Sequence, residues 1–375
     1  MFRVQHSFGK TSDFTLGVEE ELLMVEDGSL VLAHKSDEVL AAMALDERFA
    51  RHDLYESQIE LSSSICRSAG ESVRELADLR SAARAAGGRM IGAGIHPTGA
   101  FGDTRMVRAK RYEREAQNLR GLVRRTPDCA LHVHVGMPDP ETAIRVCNGF
   151  RPWIPVLEAL AANSPFWHGI DSGFASARRV LRRSFPRVGI PRPFQSFDQY
   201  VEIVASLMDM GELEEYTFIW WEVRPHPKFG TVEVRAMDSQ SSLANVAGIA
   251  ALVQALAKHL AESPPAEHLA GEVIEESSFR AGRDGIDAAI GDGASIRPVR
   301  EMAAEAVRLA RPHARELGSE EPLLEVQRIL SEGNGADRQR AAHERGGMKA
   351  LLEGLAGETS SGWDERTAAR VSLNG

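Results

Sequence analysis

Three apolar runs of this chain carry charged or imidazole side chains at two-residue spacing. They are Gly17-Val18-Glu19-Glu20-Glu21-Leu22-Leu23, Leu131-His132-Val133-His134-Val135 and Thr231-Val232-Glu233-Val234-Arg235-Ala236. Residues i and i+2 of a β-strand face the same side of a sheet. As strands, these runs set Glu19 with Glu21, His132 with His134, and Glu233 with Arg235. Leu16, Val18, Leu22, Leu23, Met24 and Val25 surround the glutamates, so the first strand reads as buried on both faces. Buried carboxylates are costly unless paired or metal-bound. The pattern predicts a sheet whose charged face lines a cavity for divalent cations.

A carboxylate-rich site selects hard cations such as Mg2+ or Mn2+. Asp53 and Glu60 are further candidates, but their odd spacing sends them to opposite faces of a regular strand, so a bend between them is required. Alone, the His-Val-His pair reads equally as hydrogen-bonded core histidines or as zinc ligands. Glu233 with Arg235 reads equally as a neutralised ion pair. Arg224, in Trp220-Trp221-Glu222-Val223-Arg224-Pro225, and Arg235 both lie in a segment flanked by aromatics. Arginine suits two-pronged recognition of carboxylate or phosphate. Carboxylates, metal and arginines together describe phosphoryl transfer, where positioning and charge neutralisation supply most of the catalysis.

Other chemistries are not encoded. Gly92-Ala93-Gly94-Ile95-His96-Pro97 starts like a dinucleotide loop but has Pro97 where the last glycine belongs. There is no Walker A sequence, no HExxH and no GxSxG. A formal net charge of -10 argues against a general nucleic-acid partner. The three cysteines, Cys66, Cys129 and Cys147, show no CxxC spacing and fit a reducing compartment. The first residues lack an apolar signal core, and no run reads as the ~18 apolar residues of a membrane span. The expectation is a cytoplasmic protein with no membrane partner, as a monomer or a homo-oligomer.

Pattern and punctuation predict strands at 14–25, 54–61 and 90–95, besides those carrying the His pair and Glu233. Helices are predicted at 68–86, 108–124, 140–163 and 243–260. The segment 163–196, rich in Gly, Pro and Arg, reads as a long functional loop. Beyond Pro264 no strand is expected, only helices at 298–317, 321–332 and 336–355. This order predicts an α+β fold with antiparallel strands. It divides into a catalytic core over 1–262, a helical part of the same domain over 263–357, and a flexible tail over 358–375.

The motifs occur in the order of a known family. Gly17-Val18-Glu19-Glu20-Glu21, Gln58-Ile59-Glu60, His132-Val133-His134-Val135-Gly136, the loop Phe185-Pro186-Arg187-Val188-Gly189-Ile190-Pro191 and the run from Trp220 to Asp238 closely resemble the glutamate–cysteine ligase type 2 family of carboxylate–amine ligases. The segment Ser277-Ser278-Phe279-Arg280-Ala281-Gly282-Arg283 matches only loosely. The resemblance implies a glutamine synthetase-like fold with a curved antiparallel sheet lining the active site and helices packed outside. It implies transfer of the γ-phosphoryl group of ATP to a carboxylate, glutamate in the namesake reaction, and attack on the acyl phosphate by an amine, cysteine by default. Carried over by position, Glu19, Glu21, Asp53, Glu60, His132 and Glu233 are the implied ligands of two or three Mg2+ or Mn2+ ions. Arg235, Arg224 and Arg187 are the implied catalytic arginines. His134, Arg235, Arg187 and Arg179 are the implied nucleotide contacts. The stretch from Ser176 to Arg187 is the natural cover for a water-sensitive acyl phosphate.

Two other readings compete. A metal-dependent amidohydrolase would use His132 and His134 as zinc ligands, but its HxH pair belongs near the start of a barrel, before any other ligand. A non-catalytic nucleotide-binding module would have lost metal carboxylates, and none is missing.

Overall fold

The computed structural model describes residues 5–263 and 268–363. Its elements run β1 (Leu16–Met24), α1 (Ser36–Met43), β2 (Ala50–His52), β3 (Gln58–Ser62), α2 (Ala69–Ala85), β4 (Met90–Ile91), α3 (Lys110–Leu119) and β5 (Ala130–Gly136). There follow α4 (Pro140–Phe150), α5 (Ile154–Ala161), the ribbon β6 (Phe166–Trp167) and β7 (Ile170–Asp171), α6 (Ala177–Arg182), α7 (Phe197–Gly211), β8 (Val223–His226) and β9 (Thr231–Asp238). The C-terminal part holds α8 (Leu243–Glu262), α9 (Gly271–Asp284), the hairpin β10 (Ala289–Gly291) and β11 (Ile296–Pro298), α10 (Val299–Glu316), α11 (Glu320–Glu332) and α12 (Gly335–Thr359).

Seven strands form one sheet in the order β2-β3-β1-β5-β9-β8, with β4 pairing the end of β1. Every pairing in it is antiparallel. This is the α+β architecture the strand order predicts. Alternation decides which face is which. Along β1, Leu16, Val18, Glu20 and Leu22 are buried, while Gly17, Glu19 and Glu21 are only partly so. Val18, Leu22, Leu131, Val133, Val135, Val232 and Val234 form one apolar cluster with Val246, Ile249 and Val253 of α8. The helices cover that face, and the odd residues of β1 look out of the other.

Helix α8 is buried along almost its whole length, as a helix apolar on all sides must be. By length and hydropathy Leu243–Glu262 would also suit a bilayer, so the expectation that no run reaches that composition is corrected. In the fold α8 packs against α2, α4, α10 and α11.

Four further expectations change. The helix placed at 140–163 is two helices, because Pro152 and Pro155 interrupt it around a 3-10 turn at Arg151–Trp153. The strand placed at 54–61 starts only at Gln58; before it the chain turns, with the Gln58 amide donating to Tyr55 O at 3.0 Å. The segment 163–196 contains β6, β7 and α6, the last capped by Ser176 Oγ accepting from the Arg179 amide at 3.2 Å. Beyond Pro264 a hairpin does form, around an Asp292 carboxylate that accepts from the Ser295 amide at 2.7 Å. Helix α12 kinks at Gly346 and Gly347, the latter at φ 67°. It runs on to Thr359, whose hydroxyl accepts from the Gly92 amide at 2.9 Å. Of the tail predicted over 358–375, residues 364–375 lie outside the described residues.

Candidate active site

Strand register assembles the site. Glu19 on β1 sits opposite His132 on β5 and Ser62 on β3; Glu21 sits opposite Glu60. Across the next pairs, His134 faces Glu233, Glu233 faces Arg224, and Arg51 on β2 faces Glu60. Between Leu131 and Val133 the β5–β9 register shifts, so that Arg235 and Ala236 oppose His132 alone. This bulge re-aims Arg235, whose Nη1 lies 3.5 Å from His132 Nδ1.

Ligand atoms of Glu19, His132 and Glu233 lie within 4.8 Å of one another, a spacing one divalent cation can bridge. His132 Nδ1 is 3.5 Å from Glu19 Oε2, and its Nε2 is 3.7 Å from Glu21 Oε1. His134 Nε2 is 3.6 Å from Glu19 Oε2 and 3.7 Å from Glu233 Oε1. Both Nε2 atoms are buried and have no hydrogen-bond partner among the described residues. Burial and the nearby Arg235 push His132 down to about 3, leaving a neutral ring with a lone pair to offer. The donor set fits Mg2+ or Mn2+.

Charge is balanced unevenly across the face. Burial alone would raise Glu19, but His134, His132 and Arg51 outweigh it and hold its carboxyl well below the usual range. Burial likewise loses at Glu233, where Arg224 and Arg235 keep the carboxylate ionised. At Glu21 burial wins, and Asp53 and Asp128 add to it, raising the carboxyl to about 8. Glu60 is raised by burial and Glu19 although Arg51 pairs with it. Glu21 and Glu60 are therefore carboxyls whose burial the neighbouring arginines do not offset.

The predicted residues sort accordingly. Glu19, Glu21, Glu60, His132, His134, Glu233 and Arg235 share the face. Asp53 follows β2 and, through the turn before Gln58 that its spacing required, reaches a cavity at the Glu21 and Arg235 end of that face. That cavity is a cleft taking in Glu21, Asp53, Asp128, Arg182 and Arg235. Arg224 is committed as a brace: Nε donates to Glu233 at 2.6 Å and Nη1 to the carbonyls of Ile219 at 2.6 Å and Thr217 at 2.9 Å. Arg187 stands behind the cleft wall, 5.4 Å over the Trp220 ring and donating to Phe218 O at 3.1 Å. Arg179 does not join the others. It points away from the cleft to Glu158, Glu275 and Ser278, donating to Ser278 Oγ at 2.7 Å.

One turn on, Arg182 enters the cleft instead and donates to Asp128 at 2.9 Å. Arg182, Asp128 and Arg51 carry no strand-alternation signal of their own. Asp128 alone offers a clue, since it shares the even parity of His132 and His134.

A model of glutamate–cysteine ligase family 2 matches residues 15–354. A Rubrobacter xylanophilus protein provisionally named glutamate–cysteine ligase 2-1 is 38% identical over 367 residues, 93% of this chain and 98% of the relative. A Sorangium cellulosum protein, provisionally named glutamate–cysteine ligase 2, is 34% identical over 363 residues, covering 93% and 97%. Among solved structures, Francisella tularensis glutamate–cysteine ligase in complex with AMP superposes with a TM-score of 0.69 at 13% identity, over 95% of this chain and 91% of that one. The ligase PafA in its complex with the ubiquitin-like protein Pup gives 0.52 at 11% identity, over 96% and 76%.

Fold and family together define an ATP-dependent carboxylate–amine ligase on a glutamine synthetase-like scaffold. The chain belongs to glutamate–cysteine ligase family 2.

Proposed function

We propose that the enzyme activates the γ-carboxylate of glutamate with ATP and joins it to an amine through an acyl phosphate, releasing ADP and phosphate. The relatives' names make cysteine the reference acceptor. The observation that carries the reading is the pair of buried imidazole nitrogens of His132 and His134, without a hydrogen bond among the described residues and set among Glu19, Glu21 and Glu233. Such a face is unstable as a plain core and suits cations. Glu19, His132 and Glu233 would hold one Mg2+ or Mn2+, and Glu21, Glu60 and Asp53 a second, with a third as the upper limit. Bound there, the ions supply charge neutralisation for phosphate and carboxylate oxygens.

The chain's own groups do the rest. Arg235, bulged toward His132 and held by Glu233, offers a guanidinium fork to the transferring phosphoryl group. His134, steadied by Thr231 Oγ1 at 3.0 Å and by the rings of His226 and Phe229, flanks the nucleotide. In the second step the amine nitrogen bonds to the carbonyl carbon of the activated side-chain carboxyl group, the bond from that carbon to the phosphate oxygen breaks, and phosphate leaves with the electron pair. The amine sheds its proton to a cleft carboxylate. The open antiparallel sheet supplies none of the barrel that an amidohydrolase reading needs. We place the enzyme in the cytoplasm, where its three buried free cysteines stay reduced.

The test is ADP release that requires glutamate, an amine and Mg2+ or Mn2+ together. ADP formation indifferent to glutamate would overturn the choice of carboxylate.

A further inference from the structure

The cleft beside Glu21 has two kinds of lining. Toward the sheet it is carboxylate and guanidinium; the remainder is mainly aromatic, Tyr55, Tyr112, Phe185, Phe218 and Trp220, with Leu54, Leu119 and Glu115 among them. Trp220 stands edge-on to Phe185 at 6.3 Å and to Phe218 at 6.4 Å between ring centres. Arginines back these rings: Arg187 lies 5.4 Å over Trp220, and Arg125 lies 5.1 Å over Phe185. The aromatic box is thus fixed before any ligand enters, which lowers the entropy cost of binding. The Tyr55 hydroxyl is buried and has no hydrogen-bond partner among the described residues. A buried hydroxyl left alone is costly, so the cleft is built for a ligand that carries both an apolar body and a hydrogen-bonding atom.

We infer that this cleft is the acceptor subsite and that the acceptor is an arylalkylamine, a primary amine on a short chain ending in an aromatic ring. The inference rests on the carboxylate–amine ligase reading and narrows it. Of the three reactants, the anionic groups of ATP and glutamate suit the metal and arginine end of the cleft, which leaves the aromatic end for the body of the amine. The cleft touches neither Glu19, His134 nor Glu233, the side where the nucleotide is placed. An ammonium group meets Asp128 at the polar end. Cysteine would fill little of the aromatic box.

The experiment has two parts. Glutamate-dependent ADP release is measured with tyramine, phenethylamine, cysteine and ammonium chloride. Tyramine is also titrated calorimetrically into the Mg2+-loaded enzyme with a non-hydrolysable ATP analogue. The expected kcat/KM for tyramine exceeds that for cysteine by about tenfold or more, the scale on which pocket filling discriminates. Trp220→Ala and, as a milder change, Phe185→Leu should lower kcat/KM for tyramine more than for ammonium, and weaken the calorimetric binding. Cysteine or ammonium preferred over both aryl amines overturns the inference and leaves the ligase reading standing. So does a Trp220→Ala effect confined to the KM for ATP, which would make the box an adenine site. Tyramine binding that depends on Trp220, without glutamate-dependent ADP release for any amine, upholds the subsite and overturns glutamate as the partner carboxylate.

Discussion

Glu20 and Arg80 form a two-pronged ion pair on the back of the strand that carries Glu19 and Glu21. Arg80 Nη2 donates to Glu20 Oε2 at 2.6 Å and Nε to Oε1 at 2.8 Å, both residues being almost fully buried. Arg80 also donates to the carbonyls of Ser241 at 2.7 Å and Gln240 at 2.8 Å. The middle glutamate of the triplet is therefore structural, and it ties β1 to α2 and to the turn before α8. Removing one partner of a buried pair strands the other charge. Glu20→Ala should lower unfolding free energy by about 3 kcal/mol, read from urea denaturation. A loss under about 1 kcal/mol would make the pair incidental.

Glu21→Ala should abolish turnover and leave the fold intact. The carboxyl of Glu21 is pushed up to about 8 by burial, Asp53 and Asp128, so its removal relieves repulsion in the metal-free protein. Circular dichroism and melting should match or exceed the parent without metal, while Mn2+ binding followed by electron paramagnetic resonance weakens. Unfolding of the metal-free variant would assign Glu21 a structural role instead.

Arg235→Lys keeps the charge and loses the fork. A guanidinium that acts on the transferring phosphoryl group predicts a kcat lower by about 10²-fold or more, with a smaller change in KM for ATP. Turnover near the parent value would reduce Arg235 to a partner for Glu233.

Glu158 sets a pH dependence away from the site. Its burial, with Glu222 and Glu275 nearby, outweighs Arg179 and raises the carboxyl from 4.5 to about 8. The folded state then binds this proton more tightly than the unfolded chain. Its contribution to stability is greatest below the ordinary value, declines as pH rises through the window from 4.5 to about 8, and is flat above it. Glu158→Gln should flatten that decline in denaturation curves taken across the window. An unchanged slope would mean that the carboxylate stays ionised beside Arg179.

How much of this was legible follows from where each residue sits. Alternation on β1, β5 and β9 reports directly on which face a side chain takes, so Glu19, Glu21, His132, His134, Glu233 and Arg235 could be grouped before any coordinate. Alternation says nothing about register, and register is what puts Arg51 across from Glu60 and Arg224 across from Glu233. It is equally silent on the helix facing the sheet. There, only Val180 and Leu181 separate Arg179, locked to Glu158, from Arg182 in the cleft. Helix α7 carries a sequence signal at the end of the 163–196 loop and beyond it: Ser196 accepts from the Gln199 amide at 3.2 Å, and Phe197, Tyr200 and Val204 repeat at helical spacing. The hairpin at β10 and β11 had little, being three residues a side.

The central claim is that a carboxylate is activated by phosphorylation. Glutamate labelled with oxygen-18 in its γ-carboxylate is incubated with ATP, Mg2+ and an amine, and the released nucleotide and phosphate are analysed by mass spectrometry. The acyl-phosphate route predicts ADP, with one labelled oxygen carried into inorganic phosphate. Label appearing in AMP, with pyrophosphate released, would show adenylation and contradict the account.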